Sequence, residues 1–374
     1  MIGEINLKLI KTILGLLLTF SLFATLPGCG GGGSSSGGNG GNGGVANYKY
    51  YTYIANGKNV SIYTMDYTVG TFSTSTVEYP ISVGYPRAMV QHPSKPYLYI
   101  TSGTSGTYIV SVLSITPATG GLTEIQTIAT SGYEDIEITP DGKYLYTSGA
   151  GPITCYKVSV DGKLTEPELD YYTYPNHIKV APDGNVLYAT YSYQEGSSWA
   201  YYLAAYNING NDGTLTQTTR IDFTETPNNI AVFGQFVYNT TSSNKICQYY
   251  EGAGLTQNSY ISSTDSNFGP IIANRGYLFA AKPGTNQIAG FMIDASKGSL
   301  TEFSGTGYPY ATGTTSYIPK LSIDPGGKYL YAVDEDNKAL LGYSIAPNGG
   351  LTKLNWNVTV PGIPYSALIA KVRQ

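Results

Sequence analysis

Apolar and polar residues alternate with a period of two in stretches such as Tyr144 to Thr147 and Ile153 to Val160. That is the pattern of half-buried strands, not the 3.6-residue period of a helix. The stretches recur as one unit: a short apolar strand, a Pro-Asp-Gly-like turn, a Tyr-Leu-Tyr strand, a further strand, then Gly-x-Leu-Thr. Tyr-Leu-Tyr and its variants end at residues 53, 99, 146, 188, 238, 279 and 331, with spacings of 41 to 52. Leu-Thr or its variant begins at residues 72, 122, 164, 215, 255, 300 and 351. Turns such as Pro140-Asp141-Gly142-Lys143 and Pro182-Asp183-Gly184-Asn185 put Pro where φ is fixed and Gly where φ turns positive. A repeat of this length is that of a four-stranded propeller blade.

The two ends of the repeat array are complementary. Residues 48–80 hold the second, third and fourth strands of a blade but lack a first. Residues 365–372 read as a first strand with nothing after it. Joined, they predict an all-β, seven-bladed β-propeller of four-stranded antiparallel blades, closed by N- and C-terminal strands that share one blade. This domain is assigned residues 45–374.

Composition narrows the function classes. Charged residues are 12% of the chain, about half the usual share, which argues against a helix bundle with charged outer faces. Hydrophobic residues at 41% and aromatics at 13% suffice for a packed core and exclude a disordered chain. The formal net charge of −4 gives no electrostatic footprint for nucleic acid, so no nucleic-acid partner is expected. A monomer without cofactor or metal is the expectation.

The first 44 residues read as an address and a tether. Lys8 and Lys11 precede an apolar run from Ile13 to Leu26, the layout of a secretory signal over residues 1–28. Leu26-Pro27-Gly28-Cys29 resembles the bacterial lipobox, which implies a lipid anchor on Cys29 and a place in the cell envelope, with the outer membrane favoured by Gly30. The alternative is an ordinary signal cut near Ala24. Residues 30–44 are all Gly, Ser or Asn, so residues 29–44 form a lipid-bearing Cys and a flexible leash.

Aligning the seven repeats predicts where side chains meet the central channel. One row, six residues before the turn Pro, contains Arg87, Glu134, Asn176, Asn228, Gly269, Pro319 and Tyr365. The next row contains Ala88, Asp135, His177, Asn229, Pro270, Lys320 and Ser366. Charges of both signs cluster here in a chain where charge is scarce, which makes the mouth the candidate site.

The repeat, carried for example by Pro175-Asn176-His177-Ile178-Lys179-Val180-Ala181-Pro182-Asp183-Gly184, resembles the lactonase-type seven-bladed β-propellers. These include 6-phosphogluconolactonase-like enzymes, a fungal muconate-lactonising enzyme and surface proteins with Tyr-Val-Thr-Asn-type repeats. The resemblance covers residues 45–374. It implies a His, a Glu and an Arg that polarise a lactone carbonyl and activate water, with His177, Glu134 and Arg87 as counterparts. The family's catalytic His matches the position of Asn176, and a one-residue offset on a regular strand turns a side chain to the other face. Binding roles fall to Asp135, Asn176, Asn228, Asn229, Lys320 and Tyr365. The leading expectation is therefore a binding or scaffolding module for a small molecule, glycan or protein, and the alternative is an exported lactone hydrolase.

Five further features remain, most of them structural. Asp334-Glu335-Asp336-Asn337 falls at a hairpin turn, Asn207 to Gly213 coincides with another, and His92 precedes a turn Pro. Residues 191–202 predict an aromatic, neutral loop in the fourth blade, either packed on that blade or exposed for recognition. Cys155 and Cys247 each lie nine residues after the last Tyr of their repeat, in blades three and five. Equivalent positions in such blades are too far apart for a disulfide.

Overall fold

The computed structural model describes residues 47–374 apart from 74–76, 166–167, 170–173, 196, 252–254, 265–266, 306, 314–317 and 319. Residues 1–46 fall outside the described part, and with them the signal, Cys29 and the leash. Ala46–Gln374 forms one compact unit.

Every helix or strand among the described residues is a strand, and the strands form seven antiparallel sheets. Chain order around the ring gives blade 1 (48–80), blade 2 (85–129), blade 3 (135–169), blade 4 (175–223), blade 5 (227–262), blade 6 (271–311) and blade 7 (321–359). The first strand of blade 1 is Pro364–Arg373, which pairs along Tyr48–Asn56 from Tyr48↔Arg373 to Asn56↔Pro364. The ring is thus a seven-bladed β-propeller closed by strands from both ends, as the repeat pattern predicts. In blades 1 and 6 the outer strand comes in two short pieces, so that sheet has five members.

Burial falls into seven clusters, one at each interface between neighbouring blades. This follows from period-two alternation in a sheet standing edge-on to the axis: each blade buries both faces. The tyrosines of the repeat bind successive blades. In five of the seven triplets the last Tyr donates its hydroxyl to the carbonyl of a glycine in the next blade, as Tyr53 does to Gly120, Tyr99 to Gly162, and Tyr238 to Gly298. Tyr331 reaches Gly70 at 3.5 Å and carries the clasp across the ring closure. The first aromatic of the same triplet lies flat on that glycine. A Cβ on Gly70, Gly120, Gly162, Gly298 or Gly349 would collide with Tyr329, Tyr51, Tyr97, Phe236 or Tyr277, and all five glycines have positive φ. The two sequence markers are therefore the two halves of one contact, which explains why a broad ring and a bare backbone recur together.

Two expectations need correction. Residues 191–202 are not a loop: strands Val186–Glu195 and Ser198–Ile208 pair continuously to Glu195↔Ser198 as a long hairpin. Tyr191 and Tyr202 stack inside it, buried, while Trp199 is exposed. The cysteines are buried thiols, neither in a disulfide, but they are not equivalent. Cys155 sits opposite Tyr146, whereas Cys247 sits opposite Asn239, one residue past Tyr238. The one-residue slip turns them to opposite sheet faces. Cys155 packs into the interface of blades 3 and 4, and Cys247 into that of blades 4 and 5.

Candidate functional site

The innermost strands enclose a channel cavity of about 330 Å³. Its wall holds the whole second row of the repeat alignment: Ala88, Asp135, His177, Asn229, Pro270, Lys320 and Ser366. Two residues deeper, on the same side of each strand, it holds Glu137 and Lys179 with Val90, Ala231, Ile272, Ser322 and Leu368. Glu137 and Lys179 were not singled out from the sequence. Their signal was there, as charges two residues beyond Asp135 and His177 on period-two strands.

Asp135 organises the mouth. Its Oδ2 lies 3.5 Å from His177 Nδ1 in the neighbouring blade, and its Oδ1 lies 3.5 Å from Lys320 Nζ, which reaches over from blade 7. Its oxygens also accept the backbone N–H groups of Ile136 at 3.1 Å and Ile178 at 3.3 Å. Burial alone would raise the Asp135 carboxyl, but Lys320 and His177 beside it, with Lys179 beyond, hold it well below the usual range. Asp135 is thus a fixed anion. Below it, Lys179 Nζ and Glu137 Oε1 pair at 2.5 Å. Burial, reinforced by Asp135, pushes the Glu137 carboxyl up against the pull of Lys179. Burial would lower the Lys179 ammonium, but Glu137 and Asp135 hold it up.

His177 lines the cavity on the same strand face as Lys179, two residues further on. Pro175 pairs with Tyr191 and His177 with Thr190, so Asn176 is bulged out of the ladder just before it. The bulge breaks the alternation at Asn176, the residue that matches the family's catalytic His. The inner strands of blades 2 and 5 shift register at the same place, after Pro86 and Pro227.

The first row does not line the cavity. Arg87 sits 4.5 Å from the Tyr365 ring centroid and 5.9 Å from that of Tyr133, with its Nε buried and without a hydrogen-bond partner. Tyr133 stacks in turn on Tyr108. Glu134 is exposed, Asn176 donates to Ser192 Oγ at 2.6 Å, and the Asn228 carbonyl accepts from Thr190 Oγ1. His177, Asp135, Asn229 and Lys320 are therefore gathered in one cavity, while Arg87, Glu134, Asn176, Asn228 and Tyr365 form its rim. Pro319 lies outside the described residues. Among the described residues no group of three or more His, Cys, Asp or Glu is placed to hold a metal ion.

The remaining sequence features are turn chemistry. His92 Nδ1 accepts the N–H groups of Ser94 and Lys95, and Asp334 accepts from Asn337. Asn209 caps its hairpin through the Asn211 N–H.

A seven-bladed ring with polar groups converging on one channel mouth defines a propeller with a small-molecule-sized site. The family described as "Lactonase, 7-bladed beta-propeller" matches residues 57–232, just under half of the chain, which supports a likeness to lactonase-type propellers. A curated relative, 6-phosphogluconolactonase of Cronobacter sakazakii, is 30% identical over 147 residues. That match spans 36% of this chain and 42% of the relative's length. A Bacteroides uniformis structure named as a candidate 6-phosphogluconolactonase aligns with a TM-score of 0.72 at 18% identity, covering 86% of this chain and 99% of that one. The periplasmic gluconolactonase of Pseudomonas aeruginosa aligns with a TM-score of 0.67 at 16% identity, over 86% and 99%. At these identities the structures share the fold.

Proposed function

We propose that this protein hydrolyses a small lactone at the channel mouth and is held at a bacterial envelope membrane by a lipid on Cys29. The observation that carries the reaction is the Asp135–His177 pair with the Lys320 ammonium across the same cavity. His177 takes a proton from water as the water oxygen attacks the lactone carbonyl. Asp135 orients the imidazole and balances the imidazolium charge. Lys320 faces the negative charge that gathers on the carbonyl oxygen. Collapse breaks the ring C–O bond, and the imidazolium returns its proton to the leaving alkoxide. The product is the open hydroxy acid.

The names of the family and of the curated relative support this reading. A structure of this fold named as a periplasmic gluconolactonase supports pairing lactone chemistry with export. The anchor reading rests on Leu26-Pro27-Gly28-Cys29 and the leash after it. Binding without turnover is the second reading. What favours it is that Arg87 and Glu134, two of the three residues the resemblance assigns to catalysis, stand outside the cavity wall. The deciding experiment is a hydrolysis panel of lactones on wild type and His177→Ala. Turnover that falls about 10²–10⁴-fold in the variant is expected. Turnover unchanged in His177→Ala, or absent from wild type across the panel, rejects the hydrolase.

A further inference from the structure

The geometry points to a substrate that is neutral and not phosphorylated; this rests on the hydrolase reading and names its substrate class. The cavity wall carries two carboxylates and two ammonium groups, and they pair off. Asp135 takes Lys320, and Glu137 takes Lys179 at 2.5 Å. His177, the remaining titratable group in the wall, is also turned to Asp135. No cation in the wall is left uncommitted.

A phosphate monoester brings close to two negative charges and needs donors to replace its water. Proteins supply them with Arg and Lys clusters or a helix N-terminus. Among the described residues there is no helix. Arg87, the rim cation nearest in sequence, is absent from the cavity wall and lies against the rings of Tyr365 and Tyr133. A phosphate inside would also meet two carboxylates in the same wall, the buried Asp135 and the half-buried Glu137. Breaking either ion pair to receive it would strand a carboxylate.

The rest of the wall suits an uncharged ligand with apolar edges. Leu368 and Val90 from blades 1 and 2 and Ala231 and Ile272 from blades 5 and 6 face the deep tier on either side of the Glu137–Lys179 pair. Near the mouth Asn229 offers hydrogen bonds, and Ser366, whose hydroxyl donates to the Arg87 carbonyl at 2.6 Å, can accept one. Hydroxyl groups of a lactone can take those bonds, while its C–H edges meet the aliphatic side chains.

The test compares D-glucono-1,5-lactone with its 6-phosphate as substrates of the full-length protein, by initial rate. Calorimetry with the neutral and 6-phosphorylated lactam analogues, which are not hydrolysed, forms a second arm. The expected result is kcat/KM at least about tenfold higher for the neutral lactone, and tighter binding of the neutral lactam by a similar factor. Equal or better turnover of the phosphate ester, tighter binding of the phosphorylated lactam, or binding of neither lactam overturns the inference. If neither lactone is turned over, the hydrolase reading fails, and the lactam arm still decides the charge preference.

Discussion

The Tyr146 hydroxyl donates a 2.8 Å hydrogen bond to the carbonyl of Gly213, 67 residues further along and in the next blade. Gly213 has a φ of +84°, and a Cβ there would run into the Tyr144 ring and the Cys155 sulfur. Gly213→Ala should therefore destabilise the fold by about 2–3 kcal/mol, from strained backbone plus overpacking. Tyr146→Phe, which leaves that carbonyl only the long contact from the Cys155 thiol at 3.4 Å, should cost about 1–2 kcal/mol. Gly210→Ala is the control, because nothing lies within 4 Å of the added methyl, and it should stay within about 0.5 kcal/mol of wild type. Denaturant unfolding of the three variants checks the order, and a Gly213→Ala no worse than the control would contradict it.

Asp135 predicts the acid limit of stability. Its carboxyl is held below the ordinary value by Lys320 and His177 despite burial. As pH drops through the ordinary Asp pKa of about 3.9, the unfolded chain binds a proton that folded Asp135 still refuses. The stabilisation is thus complete above that pH and is lost on acidification toward the depressed folded pKa. Asp135→Asn should be less stable than wild type at pH 7, with the gap narrowing as pH falls below about 4. Urea unfolding at pH 7, 5, 4 and 3 measures it. A gap constant across the series would mean that the carboxylate charge is not what holds this site.

The two thiols predict a chemical signature. Burial pushes the Cys247 thiol up, and Cys155 lies under Tyr146 and Gly213. Native protein should react with a thiol reagent at neither position within minutes, and unfolding without reductant should expose both. A Cys155–Cys247 disulfide recovered by peptide mapping would contradict the slipped register of blade 5, since the two sulfurs face blade 4 from opposite sides.

The lipid anchor makes a separate prediction. Labelled palmitate should enter the wild-type protein in a bacterial host, and Cys29→Ser should abolish labelling and move the protein to the soluble fraction. Soluble, unlabelled wild type would end the anchor reading without touching the site chemistry.

Blade count and ring closure were legible because they rest on local strand and turn chemistry repeated seven times. The cavity row was legible for the same reason: aligning repeats aligns registers, and His177, Asp135 and Lys320 fall in one row. What the repeat could not reveal is where the register breaks. The bulge at Asn176 and the one-residue slip at Cys247 are set by how a strand meets its neighbour, while the linear spacing stays unchanged. Nor could separate readings of the two markers show that they touch. One trace was present all the same: Ala253 stands where the other six repeats have the clasp glycine, and the facing triplet begins with Val186 where the other six have an aromatic.

The pairing of Tyr48–Asn56 with Pro364–Arg373 also governs the order in which this molecule can be assembled. Residues 48–80 emerge ahead of the other blades but have no inner strand to rest on until more than 280 further residues have followed. Six blades can grow one upon another in sequence, yet the first must wait, with its edge open, for the last. Closure of the ring is therefore late, slowed by the length of chain its final contact encloses. If the chain is exported as proposed, that delay would keep it threadable until it is nearly across.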